Sequence, residues 1–185
     1  LLYTNGETLT IVCDGTGWHA LDHKCNTAWV DAGVITVQAI TSNPTKGDTQ
    51  QTDKTFWKRV GDTAHIRMQF RQTSSTGSAA GSGDYLFVIP SSIGTIDTAK
   101  LTVYATAEGW NSSFQNAFTI GGSMAGDGTS NFDGKVIPYD SSKVRVAGIN
   151  STPDAGFIGS AGYPLTGANV FYALDFIVPT SGWNP

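Results

Sequence analysis

Phe56-Trp57-Lys58-Arg59-Val60-Gly61-Asp62-Thr63-Ala64-His65-Ile66-Arg67-Met68-Gln69-Phe70 decides the fold class. The stretch reads as two strands joined by a tight Gly-Asp turn. On the second strand Ile66, Met68 and Phe70 point one way, and His65, Arg67, Gln69 and Arg71 the other. A period of two is the mark of a strand with one face buried and one face wet. The last apolar run repeats it: Val170, Tyr172, Leu174, Phe176 and Val178 alternate with Phe171, Ala173, Asp175 and Ile177.

Outward from that hairpin the same plan continues. Strands are expected at Thr8–Cys13, at Trp18–Leu21 after an Asp14-Gly15-Thr16-Gly17 turn, and at Val34–Ile40. Tyr85–Ile89, an unbroken apolar run stopped by Pro90, reads as a strand buried on both sides. Further strands are expected at Leu101–Ala105, Ala117–Ile120, Lys135–Ile137 and Lys143–Val146, the last two flanking a turn at Asp140-Ser141. The segment from Thr41 to Asp53 reads as a polar loop. The Ser/Gly/Ala-rich stretch from Thr73 to Gly83 reads as a mobile one. Short strands between Gly, Ser, Asn and Asp turns indicate an antiparallel sandwich or barrel, with no α-crossover.

Composition agrees. Only 14% of the 185 residues are charged, against about 25% in an average soluble protein; Gly, Ser and Thr take their place. With Glu7 and Glu108 the only glutamates, good surface helix formers are scarce. The formal net charge is −4 and there is no basic run, which argues against nucleic acid as a partner. No apolar stretch approaches the roughly 20 residues of a membrane-spanning helix. The chain opens at Leu1-Leu2-Tyr3, read as the start of a fragment or processed chain. Two units are expected: a β-hairpin and connector over 1–27, and a main body over 28–185. A lone hairpin is marginal in water, so the first unit needs the body or further copies of itself as a partner.

The combination of Phe56–Asp62, of Val88-Ile89-Pro90-Ser91-Ser92-Ile93-Gly94-Thr95-Ile96-Asp97-Thr98-Ala99-Lys100-Leu101, and of the ending Asp175–Trp183 resembles the C-terminal tip domains of bacteriophage tail fibres and related fibre-like adhesins. Leu9–Trp18 is similar to segments near the ends of such fibres. The resemblance implies a homotrimeric knob of jelly rolls, with the N-terminal hairpin as a shaft or collar segment. It also implies an extracellular location on a virion fibre or bacterial surface, and adhesion to a cell-surface receptor, often a glycan. It carries no binding residue over by motif. The alternatives are a structural virion decoration protein and a small carbohydrate-active enzyme.

Candidate ligand-binding residues come from aromatics in polar connections: Trp110, Asn111 and Phe114, then Tyr139 and Tyr163. An exposed ring beside an amide can stack on a sugar while the amide takes its hydroxyls. The plainer reading is that these rings cap the core. Trp57 and Trp183 read as structural and His65 as a surface residue. Cys13, His19, His23 and Cys25 are zinc-ligand types at short spacing, although a half-buried Cys and solvated histidines explain them as well; no metal or other cofactor is expected. Asp127, Asn131 and Asp133 with Gly128 and Gly134 lack the spacing and terminal Glu of a calcium loop. Gly121-Gly122-Ser123-Met124-Ala125 lacks the helix that a nucleophile elbow needs. A spaced carboxylate pair for glycoside hydrolysis stays open at this point.

Overall fold

A computed structural model describes residues 8–24, 27–101, 121–126, 131–148, 157–160 and 163–181. Every strand pairing in it is antiparallel. Two short 3-10 turns, Ser91–Ile93 and Thr98–Lys100, are its only helical elements among the described residues. The all-β reading is therefore correct.

The hairpin over Phe56–Phe70 belongs to strand β5 (Gln50–Val60) and strand β6 (Thr63–Gln72). β5 runs longer than the alternation suggested, because residues 50–53 join the ladder instead of the preceding loop. Gly61 has φ +62°, the left-handed value that tight hairpin turns require at that position. Thr63 closes the turn by donating from its hydroxyl to the Val60 carbonyl at 2.7 Å.

The remaining strands are β1 (Thr8–Cys13), β2 (Trp18–Lys24), β3 (Val30–Gly33), β4 (Thr36–Ala39), β7 (Tyr85–Val88), β8 (Thr95–Ile96), β9 (Gly121–Gly126), β10 (Asn131–Pro138), β11 (Lys143–Gly148) and β12 (Phe171–Ser181). β1 and β2 make a two-stranded sheet of their own. The others run β3-β5-β6-β12-β9-β10-β11-β7-β4, with β8 beside β12.

The expected strand Val34–Ile40 is found as β4, shortened to Thr36–Ala39, and a further strand, β3, precedes it. Gly33 turns with φ +91°, and β3 and β4 become the opposite ends of the large sheet. Three residue steps separate Gly33 from Thr36, a reach on the order of 10 Å. The sheet must therefore curl until its two edges nearly meet. Asp53 and Lys46 fasten that seam. Asp53 accepts from the Ile35 amide at 2.8 Å and from Lys46 Nζ at 2.6 Å, and Lys46 also donates to the Ile35 carbonyl.

Curling gives the sheet an inside. Cross-strand pairs Phe70–Tyr172, Met68–Leu174, Ile66–Phe176 and Ala64–Val178 fill it from β6 and β12, all at most 2% exposed. Phe70 and Tyr172 stack at 5.8 Å between ring centroids. Tyr85 and Phe87 meet Tyr172 edge-on. In β7 Leu86 is buried as well, as the unbroken apolar run implied.

The stretch from Thr73 to Gly83 is pinned, not mobile. Ala79 and Ser82 bridge to Thr45 and Ser42. A Cβ on Gly81 would lie 2.2 Å from the Ser42 carbonyl oxygen. The expected strands Leu101–Ala105, beyond Leu101 itself, and Ala117–Ile120 lie outside the described residues.

Candidate functional site

Inward positions of β5, β6 and β12 are consumed by the core, so chemistry falls to the outward ones. Register places them in rows. Lys58 stands opposite His65, Phe56 opposite Arg67, Lys54 opposite Gln69 and Thr52 opposite Arg71. Across the other edge of β6, Arg67 faces Asp175, Gln69 faces Ala173 and Arg71 faces Phe171. Asp175 and Gly122 then pair, as do Gly122 and Lys135.

Small residues in the middle of this face make a trough. Nothing lies within 4 Å of where a Gly122 Cβ would stand, and Ala173 is the next floor residue. Two open hollows of about 350 and 400 Å³ share Gln69 and Ala173. One extends over Arg71, Phe171 and Asn169, the other over Arg67, Asp133 and Asp175. They meet at Gln69 and Ala173 to form one shallow trough, apolar along much of its floor, with polar side chains at intervals.

Trp29, just ahead of β3, stands at one end and is 38% exposed. The Arg67 guanidinium carbon lies 4.6 Å from its ring centroid and Lys58 Nζ 5.1 Å. The His65 ring meets it edge-on at 4.9 Å. Asp175 ties the group to β12: Arg67 Nε donates to its Oδ2 at 2.8 Å, and His65 Nε2 bonds its Oδ1. Burial pushes the Asp175 carboxyl up. The hydrogen bonds and charge of His65 and Arg67 outweigh that and hold its pKa below the ordinary 3.8. The group is an ionised acceptor fixed by two donors. His65, expected as a plain surface residue, has a side chain only 18% exposed.

Charge on this face runs against the chain. Lys54, Lys58, Arg67, Arg71 and Lys135 point outward here, against Asp31, Asp133 and Asp175. Five cations less three carboxylates leave a formal +2, in a chain whose formal net charge is −4. Lys54 is neutralised by Asp31 at 2.6 Å, which lowers the Asp31 pKa.

Of the residues singled out in the sequence, Asp133 lines the trough, and Tyr139 and Tyr163 do not. Trp110, Asn111 and Phe114 lie outside the described residues, as do Cys25, Asp127, Gly128 and Trp183. Tyr139 follows β10 at the β10–β11 turn, 44% exposed, with the Arg145 guanidinium 5.7 Å from its ring. Tyr163 packs against the core with φ +57°, and its carbonyl accepts from the Tyr172 hydroxyl. Trp57 also packs against the core, as a structural residue should.

On the N-terminal hairpin, Cys13 stands opposite Trp18, His19 opposite Val12 and His23 opposite Leu9. Cys13 has an exposed thiol. Among the described residues no three His, Cys, Asp or Glu side chains converge as a metal site. Asn131, Asp133 and Gly134 belong to β10 and not to a cation-binding loop. Gly121–Ala125 lies in β9, paired on both sides, and not at a strand-to-helix elbow. A Cβ on Gly121 would lie 2.2 Å from the Asp175 carbonyl oxygen, so this glycine serves close strand packing.

Reasoning from loop aromatics missed Trp29, Lys58 and Asp175. The available signal was the unbroken outward run His65, Arg67, Gln69, Arg71 in a chain otherwise poor in charge. No protein-family model, no curated protein and no solved structure matches the chain.

Proposed function

We propose that the chain is the receptor-binding tip of a trimeric fibre, carried on a virion or a bacterial surface, and that it recognises a cell-surface glycan on the open face of its large sheet. The observation that carries this reading is the shallow trough edged by Arg67, Gln69, Arg71, Asp133 and Asp175, with Trp29 against Arg67 beside it. Shallow rows of donors and acceptors on a rigid sheet suit a ligand rich in hydroxyls. Gln69 supplies both donor and acceptor, Asp175 and Asp133 accept, and Arg67 and Arg71 donate. Asp175 is held ionised, which fits acceptance of a hydroxyl hydrogen bond better than delivery of a proton in hydrolysis.

We read the curled sheet as a jelly roll, because the C-terminal strand lies between β6 and β9 and such an order needs long crossing connections. Assembly is assigned to the exposed apolar side chains. On the hairpin these are Leu9, Ile11, Val12 and Trp18, the last 71% exposed; on the body they include Val34 and Ile40. Among the described residues the exposed large apolar side chains are aliphatic except for Trp18, Trp29 and Tyr139. Three copies of a weak site on one knob raise avidity without new contacts.

A glycan array probed with the whole chain, paired with light scattering, tests both parts. Reproducible hits at a trimer mass are expected. A monomer mass at micromolar concentration would remove the trimer, and silence across the array would leave a decoration protein.

A further inference from the structure

We propose that the saccharide taken by this face is acidic, a polymer carrying carboxylate or sulfate groups at repeated positions. The inference rests on the glycan reading and narrows it.

Three features of the trough point the same way. First, Trp29 is a poor platform for a neutral sugar ring. The Arg67 guanidinium, Lys58 Nζ and the His65 ring all lie within 5.1 Å of its centroid, so a pyranose would compete with them for the ring. What the ring does instead is hold two cations in place by cation–π attraction. Second, those cations are only partly spent on internal carboxylates. Arg67 uses Nε on Asp175, and its fork has further N–H donors for a carboxylate or sulfate. Lys58 and Arg71 have no carboxylate partner among the described residues. Third, the cations recur along the trough. Arg67 and Arg71 are four residues apart on one face of β6, roughly 13 Å at about 3.3 Å per residue. Lys58 extends the row through the Lys58–His65 pair. A ligand that meets all three must itself be charged at intervals.

The carboxylates decide against nucleic acid. Asp133 and Asp175 stand among the cations, where they accept hydroxyl hydrogen bonds from a sugar and repel a backbone charged at every step. The face is positive enough to attract a sparse polyanion and not a dense one.

Titration calorimetry of the whole chain tests this with four probes: an oligogalacturonate, its carboxyl-reduced derivative, a sulfated oligosaccharide, and oligodeoxythymidylate. Binding of the oligogalacturonate, of the sulfated probe or of both is expected, weakening as salt is raised. Carboxyl reduction is expected to abolish the uronate signal. Lys58→Glu and Arg71→Glu are each expected to weaken the acidic probe about tenfold, with an unchanged β circular dichroism spectrum. Equal binding of the reduced and acidic forms, insensitive to salt and to both variants, overturns the acidic assignment and leaves the glycan reading standing. Binding of no saccharide overturns both. Tight binding of oligodeoxythymidylate alone replaces the saccharide with a nucleic acid.

Discussion

Strands β6 and β12 present two faces one residue apart in register, and the two faces obey different rules. Inward, Ile66, Met68, Phe70, Leu174 and Phe176 are sealed in an aromatic and aliphatic core. Outward, Arg67, Gln69 and Asp175 are exposed, and Arg67 and Asp175 are joined by a charged hydrogen bond. The inner face is specified by volume, because a packed core notices the loss of even one methylene. The outer face is specified by charge placement, because water compensates most polar losses there. Stability should therefore live on the even-numbered positions and recognition on the odd-numbered neighbours.

The strongest test compares two adjacent truncations. Phe70→Ala removes a ring that is 1% exposed, stacked on Tyr172 and covered by Lys46 Nζ at 5.2 Å. A loss of about 3–5 kcal/mol is expected, read from the urea midpoint at fixed m-value. Gln69→Ala, the next residue, should change stability by no more than about 0.5 kcal/mol. Similar costs for the two would mean that the outer face is also a packed interface.

Gln72 sharpens the comparison because it is a polar residue on the inner side. It is fully buried and completely used: its Oε1 accepts from the Gly47 amide at 3.0 Å, and its Nε2 donates to the Gly167 carbonyl at 2.7 Å and to that of Leu165. One side chain thus ties two loops to the end of β6. Gln72→Ala leaves a buried amide and two carbonyls without their partner, at a cost of about 1–3 kcal/mol. Amide hydrogen exchange should rise at Gly47 first. A neutral result would show that water replaces the side chain.

How much of this was legible in the sequence follows from the same division. The inner face of β6 and β12 announced itself, since core burial imposes a strict period of two over nine or more residues. The Gly61-Asp62 turn was legible because few residues accept its φ. The separate strand β3 and the late start of β4 at Thr36 were not. Val34 and Ile35 are good strand formers, and only closure of the sheet, a long-range constraint, turns the chain there. Pinning of the stretch from Thr73 to Gly83 was hidden for the same reason, because its partners lie in another loop. At the trough the alternation showed which residues are wet, but not that Asp175, 108 residues beyond Arg67, would complete the cluster. Trp29 was invisible as a site residue, because cation–π partners come from a neighbouring strand pair and leave no local pattern.

The smallest expected effect is the one that isolates charge from packing. In the native protein the Asp175 pKa lies below 3.8, the ordinary value, because the lowering by its hydrogen bonds and cation neighbours exceeds the raising by burial. A depressed native pKa means that the unfolded chain binds the proton more readily. The stabilisation from Asp175 is therefore complete above the ordinary carboxylate value and is lost as pH falls through the lower native one. Its carboxylate is half exposed, so solvent screening keeps the effect small. Asp175→Asn keeps the shape and removes the titration. Wild type should exceed the variant slightly in urea midpoint at about pH 6, and by less at about pH 3. A gap of the same size at both pH values would assign the loss to amide geometry, and the outer face would then be ruled by packing like the inner one.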